Sequence, residues 1–235
     1  MGSGRHRRPW KDAGDVGVAD DVERGAARRR LRGLLPGTRD RRRQIVAYAD
    51  EWRRANDDPG QGTERLWVVL GDSTAQGVGA SAASRGYVGL VRNRLEELDL
   101  VKWRVVNLSR SGALAADVLA DQVPELATLA PDLVSCAVGA NDLLRRPVGL
   151  AEALTKIATE LPAGSMLANL PRGLRERDAR QVNQLVAELA STHELRLVDL
   201  WAHTGPPWRG KYASDWFHPN DLGYQDWAAA FLAAL

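Results

Sequence analysis

The sequence predicts a three-layer α/β/α sandwich built on a five-stranded parallel sheet, and three observations carry that prediction. Five short apolar runs recur along the chain, amphipathic stretches lie between them, and the first run, Leu66-Trp67-Val68-Val69-Leu70, shows no polar alternation. A strand that is apolar on both sides is covered on both faces, as inside a parallel sheet packed between helices. Strands alternating with helices give a doubly wound sheet with right-handed crossovers.

The remaining runs are Trp103 to Leu108, Leu133 to Val138, Ser165 to Leu170 and Leu195 to Leu200. Tyr87, Leu90, Val91, Arg94, Leu95 and Leu98 give one amphipathic helix, and Val182, Leu185, Val186 and Leu189 give another. Asp221 is placed to cap a closing Ala-rich helix. Ahead of the sheet, Ile45, Tyr48, Ala49 and Trp52 recur at i, i+3, i+4 and i+7, which predicts an amphipathic helix over about 39–56 packed on the main body. The cluster Asn56-Asp57-Asp58-Pro59-Gly60 ends it. The chain thus divides into a basic N-terminal extension, residues 1–62, flexible up to about 37, and a sheet-bearing domain, residues 63–235.

A chain of 235 residues with 44% hydrophobic and 26% charged residues suits an ordinary globular core. The net charge of +2 is uneven: residues 1–58 hold 15 Lys and Arg against 10 Asp and Glu, and the rest 17 against 20. The stretch Arg28-Arg29-Arg30-Leu31-Arg32 offers weak contact with an anionic membrane, although a solvated tail is the plainer reading. No nucleic-acid partner is expected. The single Cys136 excludes an intramolecular disulfide and fits a reducing compartment. With no apolar segment after the basic start and no run of some 18 apolar residues, a soluble cytoplasmic protein is expected. Gly77-Val78-Gly79 lacks the third glycine of a dinucleotide fingerprint, no Walker-type Lys follows, and no His/Cys/Asp/Glu set has metal-ligand spacing. Neither cofactor nor metal is expected.

Four signatures follow the strands. Gly71-Asp72-Ser73 comes after the first, Asn107-Leu108-Ser109-Arg110-Ser111-Gly112 after the second, Gly139-Ala140-Asn141-Asp142 after the third, and Asp215-Trp216-Phe217-His218-Pro219-Asn220 after the fifth. Ligands of open α/β sheets bind outside the carboxyl ends of the strands, so all four gather at one edge. A hydroxyl needs a neighbouring base to act as a nucleophile at neutral pH. Ser73 sits between small residues where a strand turns toward a helix, and His218 is preceded by Asp215 at a spacing that lets the carboxylate accept the Nδ1 proton. Ser73, Asp215 and His218 are therefore the candidate triad. The backbone N–H groups of Ser73 and Gly112 and the side-chain amide of Asn141 are the candidate oxyanion donors. Plainer roles compete: Ser73 and Asn141 as helix caps, Gly112 as a turn glycine, Asp72 and Asp142 as loop braces, and Asp199 as a rival partner for His218. His193 and His203 receive no role. Trp201, Trp208 and Trp216, crowded ahead of His218, suit either loop packing or contact with acyl chains or sugars. Arg110, Arg145 and Arg146 are solvated cations or attractors of an anionic substrate.

Taken in this order, Gly-Asp-Ser, the isolated Gly, Gly-x-Asn-Asp and Asp-x-x-His resemble the SGNH hydrolases, a subgroup of the GDSL esterase/lipase family, over about residues 65–226. The four name-giving residues correspond to Ser73, Gly112, Asn141 and His218. The family's usual Leu after the serine is Thr74 here. The resemblance implies a flavodoxin-like strand order 2-1-3-4-5 and a serine-dependent carboxylic-ester hydrolase working on a small-molecule ester through an acyl-enzyme. An acyltransferase using a sugar or other alcohol as acceptor shares the same site. A non-catalytic protein that associates through its basic N-terminus is the reading from another class.

Overall fold

The apolar runs form strands because each can bury both of its faces. The computed structural model describes residues 36–235 apart from 147 and 174. In it β1 (Arg65–Gly71), β2 (Trp103–Asn107), β3 (Leu133–Ala137), β4 (Met166–Ala168) and β5 (Arg196–Val198) make one sheet in the order β2-β1-β3-β4-β5. Every pairing is parallel, with Val69 opposite Asn107 and Gly71 opposite Ala137. The predicted fold class and strand order are both present. β1 is flanked by β2 and β3, so its carboxyl end is the switch point of the sheet.

The helices are α1 (Pro36–Asp57), α2 (Tyr87–Asp99), α3 (Ala115–Asp117), α4 (Ala140–Arg145), α5 (Leu150–Glu160), α6 (Glu176–Thr192), α7 (Leu200–His203) and α8 (Asp221–Ala233). Along β1, Trp67 and Val69 enter one apolar layer while Val68 and Leu70 enter the other, the period-two alternation of a strand. Trp52 of α1, Tyr87 of α2 and Tyr224 and Phe231 of α8 close the first layer. The rings of Tyr87 and Phe231 stack with centroids 4.4 Å apart. Ile157 of α5 and Val186 of α6 close the second. Cys136 lies fully buried in β3, and burial pushes its thiol up to about 12, which suits a core residue and not a nucleophile. Among the described residues, no helix is long and apolar enough to cross a membrane.

The helix predicted over 39–56 spans Pro36–Asp57, with proline at the position that tolerates it best. Tyr48 and Trp52 are buried as the periodicity implies. The polar atoms of that face also matter. Tyr48 Oη donates to Ala80 O (2.9 Å), Trp52 Nε1 donates to Gln76 O (3.1 Å), and Asn56 exchanges two hydrogen bonds with the backbone of Asn107 (2.9 and 2.8 Å). Residues four apart share a helix face, so a single row of side chains clasps the segment after β1 and the end of β2. The basic stretch 28–32, and with it most of the segment expected to be flexible, lies outside the described residues.

Two local expectations are corrected. Ser73 does not lead directly into a helix: residues 73–77 form tight turns in which Val78 N donates to Ser73 O and Gly77 N to Thr74 O, both at 3.0 Å, and α2 begins only at Tyr87. The cap of α8 is Asn220 and not Asp221. Asn220 Oδ1 accepts from Leu222 N (3.0 Å) and Gly223 N (3.1 Å), whereas Asp221 turns to Ser81 and Arg85. Both residue types cap well, and the long-range partners of Asp221 decide between them.

Candidate active site

Backbone and side-chain bonds tie the segments that leave β1, β2 and β3 together. Arg110 N donates to Gly71 O (3.2 Å), Asn141 Nδ2 donates to Ala113 O (3.1 Å), and Ala115 N donates to the Asp142 carboxylate (3.1 Å). Gln122 holds the end of β1 from below, accepting from Gly71 N (2.8 Å) and donating to Gly71 O (2.9 Å). Gln76 donates to Ser109 O (2.8 Å) and accepts from Ser111 Oγ (2.6 Å), fastening the post-β1 turn to the post-β2 loop.

Over this platform the turn before α8 delivers Asp215 and His218. His218 Nε2 lies 2.8 Å from Ser73 Oγ, and His218 Nδ1 lies 2.7 Å from Asp215 Oδ2. An ionised carboxylate only accepts, so Nδ1 carries the proton and Nε2 is left to accept from the serine hydroxyl. The other carboxylate oxygen, Oδ1, accepts from the backbone N–H groups of Phe217 and His218, each at 3.0 Å. Burial alone would push the Asp215 carboxyl up. The hydrogen bonds and charge of His218 and the two backbone donors outweigh burial and hold it well below the usual carboxylate range. Phe217 meets the imidazole edge-on, centroids 4.9 Å apart. Ser73 and His218 are buried, 4% and 8% exposed, so their hydrogen bond competes little with water.

Gly79 sets how close the post-β1 turn can come. A Cβ there would stand 2.8 Å from His218 Cβ and 2.1 Å from Pro219 O, and its φ of +110° is one that side-chain-bearing residues rarely adopt. Gly79→Ala is expected to displace the imidazole and lower kcat/KM by about 10²-fold or more, since an ångström of misplacement carries a penalty of that order. Gly62→Ala, where a Cβ meets nothing within 4 Å among the described residues, serves as the comparison and should leave the rate near wild type. Equal rates in the two variants would refute the packing argument.

The three candidate oxyanion donors differ in their present partners. Among the described residues, no acceptor takes the backbone N–H of Ser73 or of Gly112, and Gly112 has a φ of +81°. Asn141 Nδ2 spends one hydrogen on Ala113 O and the other on a longer contact with Asp72 Oδ2 (3.3 Å). An oxyanion would compete with that second contact. Asn141 also begins α4 from within the first turn, but Gly139, not Asn141, is the residue preceding the helix.

Asp72 accepts from Thr74 N (2.9 Å) and Thr74 Oγ1 (2.8 Å), bracing the turn; burial pushes its carboxyl up, partly offset by Thr74. Asp142 braces the post-β2 loop. Asp199 is the cap of α7, accepting from Ala202 N (3.0 Å) and Asn169 Nδ2 (2.8 Å), and is not the partner of His218. Arg110 pairs with Asp121 and Arg146 with Asp178, while the Arg145 guanidinium lies beside Gly112. Gln76, Gln122 and Arg41, whose contact with Asp215 is taken up below, escaped the sequence reading. Each is polar on a segment without a motif, and only their long-range partners reveal them.

A cavity of about 350 Å³ adjoins the site, lined by Thr74, Arg172, Trp208, Tyr212, Trp216 and Phe217 among others. Neither Ser73 nor His218 lines it directly; it opens beside them, next to Thr74 and Phe217. Two of the three tryptophans singled out in the sequence, Trp208 and Trp216, therefore face it. Trp201 instead stacks under Arg172 and Arg180, at 5.3 and 5.0 Å.

A parallel sheet that presents a hydrogen-bonded Ser–His–Asp chain at its switch point has the form of a serine hydrolase. The model of the GDSL-like lipase/acylhydrolase family matches residues 69–225. Esterase TesA of Pseudomonas aeruginosa is 29% identical over 166 residues, covering 68% of this chain and 82% of that protein. A crystal structure of TesA superposes with a TM-score of 0.62 at 28% identity, covering 73% of this chain and 98% of that one. A variant of Axe2, an acetyl xylan esterase from Geobacillus stearothermophilus, shares the fold with a TM-score of 0.61 at 23% identity, over 73% of this chain and 94% of its own. The chain belongs to the GDSL-like lipase/acylhydrolase family and is an SGNH-type esterase or lipase. Family membership sets aside the non-catalytic reading.

Proposed function

We propose that the chain hydrolyses small carboxylic esters through an acyl-enzyme on Ser73, with His218 as proton carrier and Asp215 as the group that orients it. The observation that carries this reading is the unbroken chain from Ser73 Oγ through His218 to Asp215, at 2.8 and 2.7 Å. Ser73 Oγ attacks the ester carbonyl while His218 Nε2 takes its proton. The carbonyl oxygen, now negative, is met by the N–H groups of Ser73 and Gly112 and by Asn141, whose long contact with Asp72 is the one it displaces. His218 then gives the proton to the departing alcohol, the C–O bond breaks, and the acyl group stays on Ser73. Water enters, loses a proton to His218 and attacks the acyl carbon; the bond to Ser73 Oγ then breaks, His218 returns the proton to that oxygen, and the acid leaves. The apolar rings of Trp208, Trp216 and Phe217 suit the cavity to one limb of the ester. The esterase relatives support a carboxylic ester as the substrate class.

A fluorophosphonate probe tests the assignment directly, because an activated serine oxygen bonds to its phosphorus and expels fluoride, leaving a stable phosphonate ester, while few other groups react. One label per chain, located on Ser73 by peptide mass spectrometry and absent in Ser73→Ala, is the expected result. Labelling at another residue, or an unreactive folded protein that still hydrolyses p-nitrophenyl acetate, would overturn it.

A further inference from the structure

Arg41 lies on α1, outside the span 69–225 that the family match covers. Its Nε stands 2.9 Å from Asp215 Oδ2, the same oxygen that accepts the His218 Nδ1 proton, and both side chains are largely enclosed, 13% and 15% exposed. The Nε–H is not aligned on that oxygen and has no other acceptor among the described residues, so the contact acts through charge. One turn further along α1, Gln44 accepts from Arg41 Nη1 and from Gly79 N (2.9 Å) and donates to Ala80 O (2.6 Å). Gly79 is the residue packed against His218 and Pro219. One helix thus touches the Asp215–His218 pair on its carboxylate side and fixes the turn that abuts the imidazole.

We propose that Arg41 is a positioning residue for ester hydrolysis, an arginine supplied by the N-terminal helix that holds Asp215 Oδ2 and opposes protonation of the neighbouring imidazole. The proposal rests on the Ser73–His218–Asp215 reading. The charged and titratable groups facing the pair are Asp72 and Ser73 from the end of β1, Tyr224 from α8 and Arg41 from α1. Asp215 and Asp72 are the two carboxylates beside the imidazole, and Arg41 is the cation that faces them. Guanidinium stays charged at every relevant pH, so its effect does not fade in mild acid. Without it the carboxylate draws a proton onto the imidazole sooner, and Ser73 loses its base at a higher pH.

The experiment compares kcat/KM for p-nitrophenyl acetate from pH 5 to 9 in the full-length wild type, Arg41→Gln, Arg41→Lys, Ser73→Ala and, as a control on an exposed position of the same helix, Arg42→Gln. Arg41→Gln is expected to move the acidic limb upward by about one unit, the scale of a nearby, partly screened charge, and so to lose about tenfold at pH 5.5 and little above pH 8. Arg41→Lys, which keeps the charge, should stay near the wild-type limb, and Arg42→Gln should superimpose on it. A limb that stays in place in Arg41→Gln overturns the proposal. So does an equal loss in Arg41→Gln and Arg41→Lys at every pH, which would mean packing alone. If Arg41→Gln fails to melt cooperatively, Arg41→Met, which also removes the charge, takes its place and is read against Arg41→Lys in the same way. Ser73→Ala separates the two levels. Wild-type rates there sink the parent assignment whatever Arg41 does, and an inactive Ser73→Ala beside an unshifted Arg41→Gln sinks only the role of Arg41.

Discussion

Ser73→Ala should lower kcat for a short p-nitrophenyl ester by about 10⁶-fold with little change in KM, because removing one member of a serine–histidine–aspartate set forfeits nearly everything the set does together. On the proposed mechanism the oxygen that forms the covalent bond is gone, and the imidazole that faced it at 2.8 Å is left without a proton to take from the enzyme. What remains is the work of the oxyanion donors and of binding, about 10³–10⁴ over the uncatalysed reaction in comparable triads. The substitution should be gentle on the fold. Ser73 is a small side chain in a turn, and among the described residues the only bond its hydroxyl makes is to His218, so the loss is about 1 kcal/mol and the melting transition stays close to wild type. Steady-state kinetics and a thermal melt on the same preparation check both halves. A folded variant within tenfold of wild type would mean that another group attacks the ester.

The sheet was legible because a parallel strand buried on both faces leaves a continuous apolar run, and the runs at 66–70 and 133–138 could be little else. The serine, the histidine and its carboxylate were legible because strand ends in this architecture converge, and because Asp215 and His218 are three residues apart in one turn. Legibility ended where partners are distant in sequence and the residue types are ordinary. Gln122 grips both backbone atoms of Gly71, yet on its own helical segment it reads as one more surface glutamine. Gln76 ties two loops with its two amide atoms, and nothing local announces that. The row Gln44, Tyr48, Trp52 and Asn56 was half visible: the aromatic members gave the helix its apolar face, while the hydrogen bonds they make to the turn after β1 depend on where that turn lies in space. Asn220 and Asp221 stand side by side with similar capping ability, so only Ser81 and Arg85, far back in the chain, settle which of them caps α8. In each case the missing term is a tertiary contact that overrides or recruits a local preference, and the same is true of Arg41.

Asp215→Asn should cost about 10⁴ in kcat while leaving the geometry nearly intact, because the change acts on a proton and not on shape. The carboxylate is what keeps the Nδ1 proton of His218 in place at 2.7 Å. An amide at the same position can turn its NH₂ toward Nδ1, which favours the tautomer with the proton on Nε2, and an Nε2–H facing Ser73 cannot serve as a base. Stability responds too. The guanidinium of Arg41, 13% exposed, would face a neutral group, and leaving a nearly buried charge without its partner costs about 3–5 kcal/mol where solvent is fully excluded and less here. The pH dependence has a definite sign. The Asp215 carboxyl is held below its ordinary range in the folded chain, so its contribution to stability is fully present above the unfolded-state value near 4, and it drains away as the pH falls toward the lower folded value. Asn does not titrate and cannot follow that loss. The gap in melting temperature between wild type and Asp215→Asn should therefore be widest near pH 7 and begin to narrow as the pH is taken below 4 toward 3. A gap that stays constant across that range would mean that the carboxylate is not the anion on which this corner of the molecule is built, and that His218 is oriented by something else.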